Sequence, residues 1–179
     1  MSLTIRMETK RPGFWFVSLI GRLDQTTAEE CDAKVSSLLN PETRAVVFDM
    51  TGLNYISSMG LRIILKTRRF MSGQGGAVYM MNVQPQIEKV FEIANLLQGM
   101  RLFADTKEAD EYFDAIHHFS HGLDCYQKGQ WDRAMEAFRR GLSINGGDQL
   151  SQMYIDRCEY MKKNPPSGEW DGVFVMTSK

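Results

Sequence analysis

Two groups of side chains in this sequence could do chemistry. The first is the pair Ser57 and Ser58, inside the stretch DMTGLNYISSMGLRIIL at positions 49–65. The pair falls where strand-like and loop-like residues give way to a helix-forming run. A serine there either caps the helix, its hydroxyl accepting from a first-turn N–H, or offers that hydroxyl to a kinase. A phosphate at that place would meet unpaired N–H groups and the positive end of the helix dipole. Arg62, Lys66 and Arg69 follow at spacings of four and three and share one helix face. That face is either an ordinary solvated surface or a contact for an acidic partner. The second group is His117, His121 and Cys125, each four residues from the next. One helical face could present all three to a transition metal. The competing assignment makes Cys125 a core residue and lets the histidines cover a helix junction. It is the stronger of the two, so no metal and no other cofactor is expected. HExxH, GxSxG and Walker A motifs are absent, and SGQGG at 72–76 lacks the Lys-Ser/Thr of a phosphate loop. The chain therefore reads as a non-enzyme. In a phosphoryl transfer it would be the substrate, with ATP and Mg²⁺ held by the kinase.

The bulk numbers narrow the class. The chain has 179 residues, 43% hydrophobic and 24% charged, with a formal net charge of −1. That balance suits a globular protein and gives no electrostatic footprint for nucleic acid. No apolar run approaches the ~20 residues of a membrane span, and the N-terminus lacks the pattern of a signal peptide. Cys31, Cys125 and Cys158 are odd in number and far apart. They fit a reducing cytoplasm, the expected location.

Periodicity supplies the elements that must hold the serines. LTIRMET alternates as a strand, RPG is a turn, and FWFVSLIG is a second strand that pairs back as a hairpin. Thr26 with Glu29, or Thr27 with Glu30, has capping-box spacing. Ala28, Cys31, Val35, Leu38 and Leu39 then share a helical face. RAVVFDM is a buried strand, TGLNYISS a loop, and MGLRIILKTRRFM a helix with Leu61, Ile64 and Leu65 inward. AVYMMNV is another buried strand. PQIEKVFEIANLLQ is a helix with Pro85 in its first turn and Ile87, Val90, Phe91 and Ala94 on one face, RLFA a short strand, and TKEADEYFDAI the start of a helix. The order β-β-α-β-α-β-α-β-α predicts an α/β domain over 1–112, a mixed or mostly parallel sheet flanked by amphipathic helices. Residues 113–164 read as a helical hairpin, turning at Lys128–Gly129–Gln130, plus a third helix with Asp148 at its N-cap. Residues 165–179 read as an extended tail.

The first part resembles the STAS domain of bacterial anti-sigma factor antagonists. The likeness is spread over the hairpin, IGRLDQTTAEE with Gly21 and Asp24, VVFDMTGLNYISSMGLRIIL, the glycine pair before the third main strand, and PQIEKVFEIANL. In that family a serine at this junction is phosphorylated by a partner that is both serine kinase and anti-sigma factor, and a phosphatase reverses it. The usual local pattern is Asp-Ser-Ser/Thr-Gly-Leu. Aligned on Gly60–Leu61, the acceptor falls on Ser58, with Ser57 the lesser candidate. Ser57 stands where the pattern has Asp, and Met59 where it has Ser or Thr. The resemblance implies partner switching: the unphosphorylated chain binds its kinase, and phosphorylation of Ser58 releases it. The implied contact residues are Asp24, Asp49, Ser57, Met59, Gly60, Arg62, Lys66 and Arg69. Asp24 and Asp49, expected at strand ends near the loop, could equally shape the docking surface, position phosphoryl transfer, or serve as caps and turns.

Residues 115–148 resemble one tetratricopeptide repeat, with Gly122, Gly129, Trp131, Ala134 and Phe138 at repeat-like positions. His118 stands where Trp is usual and Gly146 where Pro is. A single repeat needs something to stack on, so this unit is expected to bind protein or to join copies of the chain through its helices or tail. Val173, Phe174, Val175 and Met176 could add as a strand to a sheet edge. The alternative to the switch is a scaffold whose serine never carries phosphate and whose helical unit does the binding.

Overall fold

The computed structural model describes residues 2–166 and 168–174. It divides into two compact units, Met1–Thr106 and Lys107–Lys179. The first unit is built on a five-stranded sheet in the order β1-β2-β3-β4-β5. β1 (Thr4–Arg11) and β2 (Phe14–Leu23) form the antiparallel hairpin, turning at Gly13 with φ +79°. β3 (Ala45–Ile56), β4 (Ala77–Met81) and β5 (Leu102–Phe103) each add in parallel. Three helices cross between them: α1 (Ala28–Leu38), α2 (Ser58–Gly73) and α3 (Pro85–Ile93). The element order is the expected one, and the sheet is mixed.

The start of β3, Ala45-Val46-Val47-Phe48, is buried throughout, as a strand flanked by parallel neighbours must be. One core then joins Val17 and Leu19 of β2, Phe48 and Met50 of β3, Cys31 and Val35 of α1, Ile64 of α2 and Phe91 of α3. The stretch Thr51–Ile56, expected as loop, is strand. Its pairing with β2 shifts register twice, between Ser18 and Ile20 and between Gly21 and Arg22. Each extra residue flips the side-chain parity. The β3 side chains that join this core thus run Val46, Phe48, Met50, then Leu53, then Ile56, a sequence with no steady alternation to find.

Other local expectations are corrected by packing. The inward residues of α2 are Gly60, Ile63, Ile64, Thr67 and Met71, while Leu65 is exposed. Of three consecutive apolar residues on a helix only two can face one core, and the Thr67 and Met71 positions continue the Ile63 row. α3 stops at Ile93, so Ala94 is its exposed C-cap rather than part of the buried face. No capping box forms at Thr27. Its hydroxyl donates to Arg22 O at 2.9 Å and accepts from Asp24 N at 3.0 Å, which leaves the first turn of α1 without a side-chain cap.

The second unit consists of α4 (Thr106–Gln127), α5 (Trp131–Ile144) and α6 (Gln149–Lys163). α4 runs unbroken through residues 112 and 113. The turn between α4 and α5 has Gly129 at φ +69°. A Cβ on Gly122 would lie 2.6 Å from the Phe138 ring, so this glycine lets the two helices close. Asp148 caps α6, accepting from Leu150 N at 3.1 Å. Beyond α6 the chain returns to its own helices. The Trp170 indole N–H donates to Tyr126 O at 3.0 Å, and its ring meets Trp131 edge-on at 5.0 Å. Phe174 lies against Tyr160 and Arg157. Val173 and Phe174 therefore form no strand, and Val175 and Met176 lie outside the described residues. Among the described residues no helix is long and apolar enough to cross a membrane.

Candidate functional site

The two serines have separate duties. Ser57 is the N-cap of α2, with extended backbone (φ −92°, ψ 173°) and its Oγ accepting from Gly60 N at 3.4 Å. Its N–H donates to Leu23 O at 2.9 Å, which ties the helix start to the end of β2. Ser58 is the first helical residue and is exposed. Among the described residues its hydroxyl has no hydrogen-bond partner. Of the two serines, the capping role thus falls to Ser57 and not to Ser58. Ser57→Ala should cost about 0.5–1 kcal/mol, the low end of the cap range because the bond is long. Urea unfolding would measure that loss.

Exposed side chains continue from Ser58 along α2. Met59, Leu65 and Phe70 are 39%, 46% and 43% exposed, and Arg62 and Arg69 stand among them. Neither arginine has an ion pair or hydrogen bond among the described residues. Lys66 differs from both. Its Nζ lies 2.8 Å from each Asp32 oxygen and 3.1 Å from Ser36 Oγ, so it braces α2 against α1. Beside it, Gln25, Ala28, Glu29, Asp32, Met59, Arg62, Ile63 and Lys66 line an open groove of about 450 Å³. Leu65, Phe70 and the α1 side of this groove were not anticipated. The inward Ile63–Thr67–Met71 row was the signal that Leu65 must point out.

The two acids are separated by the fold. Asp24 directly follows β2 and therefore lies near the helix start, but its carboxylate is occupied. Oδ1 accepts from Thr26 N and Thr26 Oγ1 at 3.0 and 2.7 Å, and Oδ2 lies 3.5 Å from Arg22 Nε. The Thr26 hydroxyl, foremost, holds this carboxyl below its ordinary pKa. Asp49 is not at a strand end beside the serines. β3 runs seven residues further to Ile56, roughly 20 Å of strand. Its Oδ1 accepts from Thr51 N, Thr51 Oγ1 and Asn82 Nδ2, and its Oδ2 from Ser18 Oγ. Burial pushes the carboxyl up, yet those hydrogen bonds outweigh it and the pKa is lowered. Asp49 therefore knits β2, β3 and the end of β4 together.

The STAS domain family matches residues 6–109, more than half of the chain. This chain belongs to the STAS domain family. Anti-sigma factor antagonist BtrV of Bordetella bronchiseptica is 31% identical over 100 residues, which cover 56% of this STAS protein and 85% of BtrV. The anti-sigma-B factor antagonist of Staphylococcus aureus is 25% identical over 107 residues, 60% of this chain and 98% of that one. The solved structure of the anti-sigma factor antagonist SpoIIAA in its unphosphorylated form superposes with a TM-score of 0.57 at 22% identity, over 62% of this chain and 96% of SpoIIAA. The STAS protein is thus anti-sigma factor antagonist-like, with further helices beyond the matched region.

In those helices of the STAS protein, Cys125 is buried in the core with Phe138 and Cys158. His121 Nε2 lies 3.8 Å from its sulfur, and the His117 ring instead meets His118. Among the described residues no three His, Cys, Asp or Glu side chains converge as a metal site.

Proposed function

We propose that this STAS protein is a phosphorylation-switched anti-sigma factor antagonist, with Ser58 as the switch. The observation that carries the proposal is the division of labour between the serines. Ser57 holds the helix, so Ser58 is left exposed at its first position, its hydroxyl without a partner among the described residues. The antagonist names of BtrV and of the Staphylococcus relative support the class. Unphosphorylated, the chain docks on a serine kinase that is itself an anti-sigma factor. The docking face is Ser58 together with Met59, Arg62, Leu65, Arg69 and Phe70, an apolar patch studded with two cations that are unpaired among the described residues. Ser57, Gly60 and Lys66 hold that face in place, and Asp24 shapes its border.

In the transfer, Ser58 Oγ attacks the γ-phosphorus of ATP on the kinase. The Oγ–P bond forms, the bond to ADP breaks, and the hydroxyl proton leaves to a base. Asp24 and Asp49 are poor bases, each already accepting several hydrogen bonds at a lowered pKa. The base therefore comes from the kinase. The product dianion sits at the start of α2, where first-turn N–H groups and the helix dipole favour it. The fold need not change. A partner seated on this face must desolvate the dianion, and release follows. A phosphatase that hydrolyses the ester restores binding.

Phosphosite mapping by mass spectrometry on protein from its native cells, in growth and under stress, tests the assignment. Phosphate on Ser58 should change in occupancy between the two. Unmodified Ser58 in both would overturn the switch and leave a scaffold that binds through its helices.

A further inference from the structure

We propose that β1 joins two copies of this chain edge to edge, antiparallel, about a twofold axis at Met7. β1 is eight residues long and occupies the edge of the sheet, with β2 as its one strand neighbour among the described residues. Its outer backbone groups are a ready template for another strand. Residues 6–10 are all exposed, Met7 at 37%. An irregularity between Thr9 and Arg11 ends the regular stretch.

Charge selects both the occupant and the register. Arg6 and Glu8 are two residues apart and lie on the same strand face. Among the described residues neither has an ion pair or hydrogen bond. A twofold axis through Met7 sets Arg6 opposite Glu8 of the second copy and Glu8 opposite its Arg6. It also sets Met7 against Met7, Ile5 against Thr9, and Thr4 against Lys10. An axis perpendicular to the sheet keeps the faces of both strands aligned, so it must pass through a residue. Moving it to Arg6 sets Arg6 against Arg6. Moving it to Glu8 sets Glu8 against Glu8 and Arg6 against Lys10. Both slips oppose like charges, which destabilises a strand pair. The Met7 register is therefore the one that gives both Arg6 and Glu8 a partner of opposite charge, whereas an axis through Thr9, which sets Glu8 against Lys10, falls at the irregularity. Cross-strand pairs are individually weak, so the dimer dissociates on dilution.

Light scattering and sedimentation of the full chain, from micromolar to near-millimolar concentration, read the outcome. The wild type should rise towards twice the 20.5 kDa of one chain. Arg6→Glu and Glu8→Arg, each confirmed as folded by circular dichroism, should stay at the single-chain mass. Mixed one to one, the two variants should recover the doubled mass, because every cross-strand pair at positions 6 and 8 is then opposite in sign. A wild type that stays monomeric throughout overturns the proposal. So do single variants that dimerise as the wild type does, which would place the contact elsewhere, and a mixture that stays monomeric when the wild type does not.

Discussion

Ser58→Asp should weaken binding of the proposed kinase partner about 100-fold, close to 3 kcal/mol, while Ser58→Ala stays within a few-fold of the wild type. The size follows from where the charge goes. Ser58 lies at the head of an exposed apolar face, so a partner that covers it must strip water from a carboxylate it has no group to meet. Stability should not follow affinity. An acid in the first turn of a helix is favoured by the dipole, so the Asp variant should unfold at or slightly above the wild-type midpoint. That pairing of readouts separates a lost interface from a lost fold. Calorimetric titration of both variants against the partner is the measurement, and equal affinities for Ser58→Asp and wild type would remove Ser58 from the interface. Arg62 bears on the same proposed switch. It stands four residues after Ser58, one turn along the same face, and it is unpaired among the described residues. An anion at position 58 can therefore draw Arg62 away from an acidic partner as well as repel that partner directly.

The strand–helix order was legible because burial there follows a simple period. Val46 to Phe48 is a continuous apolar run, and Cys31 and Val35 recur at helical spacing on α1. The end of β3 was not legible. Its two register shifts move the inward side chain from even to odd positions and back, so TGLNYI carries no period-two signal. The same limit governs the site. Residue type shows that one of two serines caps α2, but which one depends on a single backbone transition. Ser57 is extended and Ser58 is helical, and only the fold sets that step. Lys66 was legible as exposed but not as engaged, because Asp32 and Ser36 lie some thirty residues away in sequence and reach it only through α1–α2 packing. Asp49 shows the reverse. A strand expected to stop at Met50 placed it beside the serines, and the strand's continuation carries the serines away from it.

Two glycines at opposite ends of α2 should respond to the same substitution with opposite signs. A Cβ on Gly60 would lie 2.7 Å from Ile56 Cγ1, 2.7 Å from Leu23 Cγ and 2.9 Å from Leu23 Cδ2. Leu23 is fully buried and Ile56 nearly so, so neither can swing into solvent. Alanine gains about 1 kcal/mol over glycine in helix propensity, whereas overpacking a tight core costs about 1–3 kcal/mol. With three atoms of two enclosed side chains in the way, the cost falls at the upper end, and Gly60→Ala should be destabilised by about 1–2 kcal/mol. Nothing lies within 4 Å of the Cβ position at Gly73, and its φ is not positive. Gly73→Ala should therefore gain about 0.4–1 kcal/mol. Denaturant midpoints would show the two moving apart. The functional consequence belongs to Gly60 alone. Its N–H is the group that Ser57 caps, so relief of the clash must lift the first turn of α2 and carry Ser58 with it. Gly60→Ala should lower the rate of the proposed phosphorylation at Ser58 as well as stability, and Gly73→Ala should leave that rate unchanged. A Gly60→Ala protein as stable and as readily phosphorylated as the wild type would mean that contact between the helix start and the ends of β2 and β3 does not position the switch.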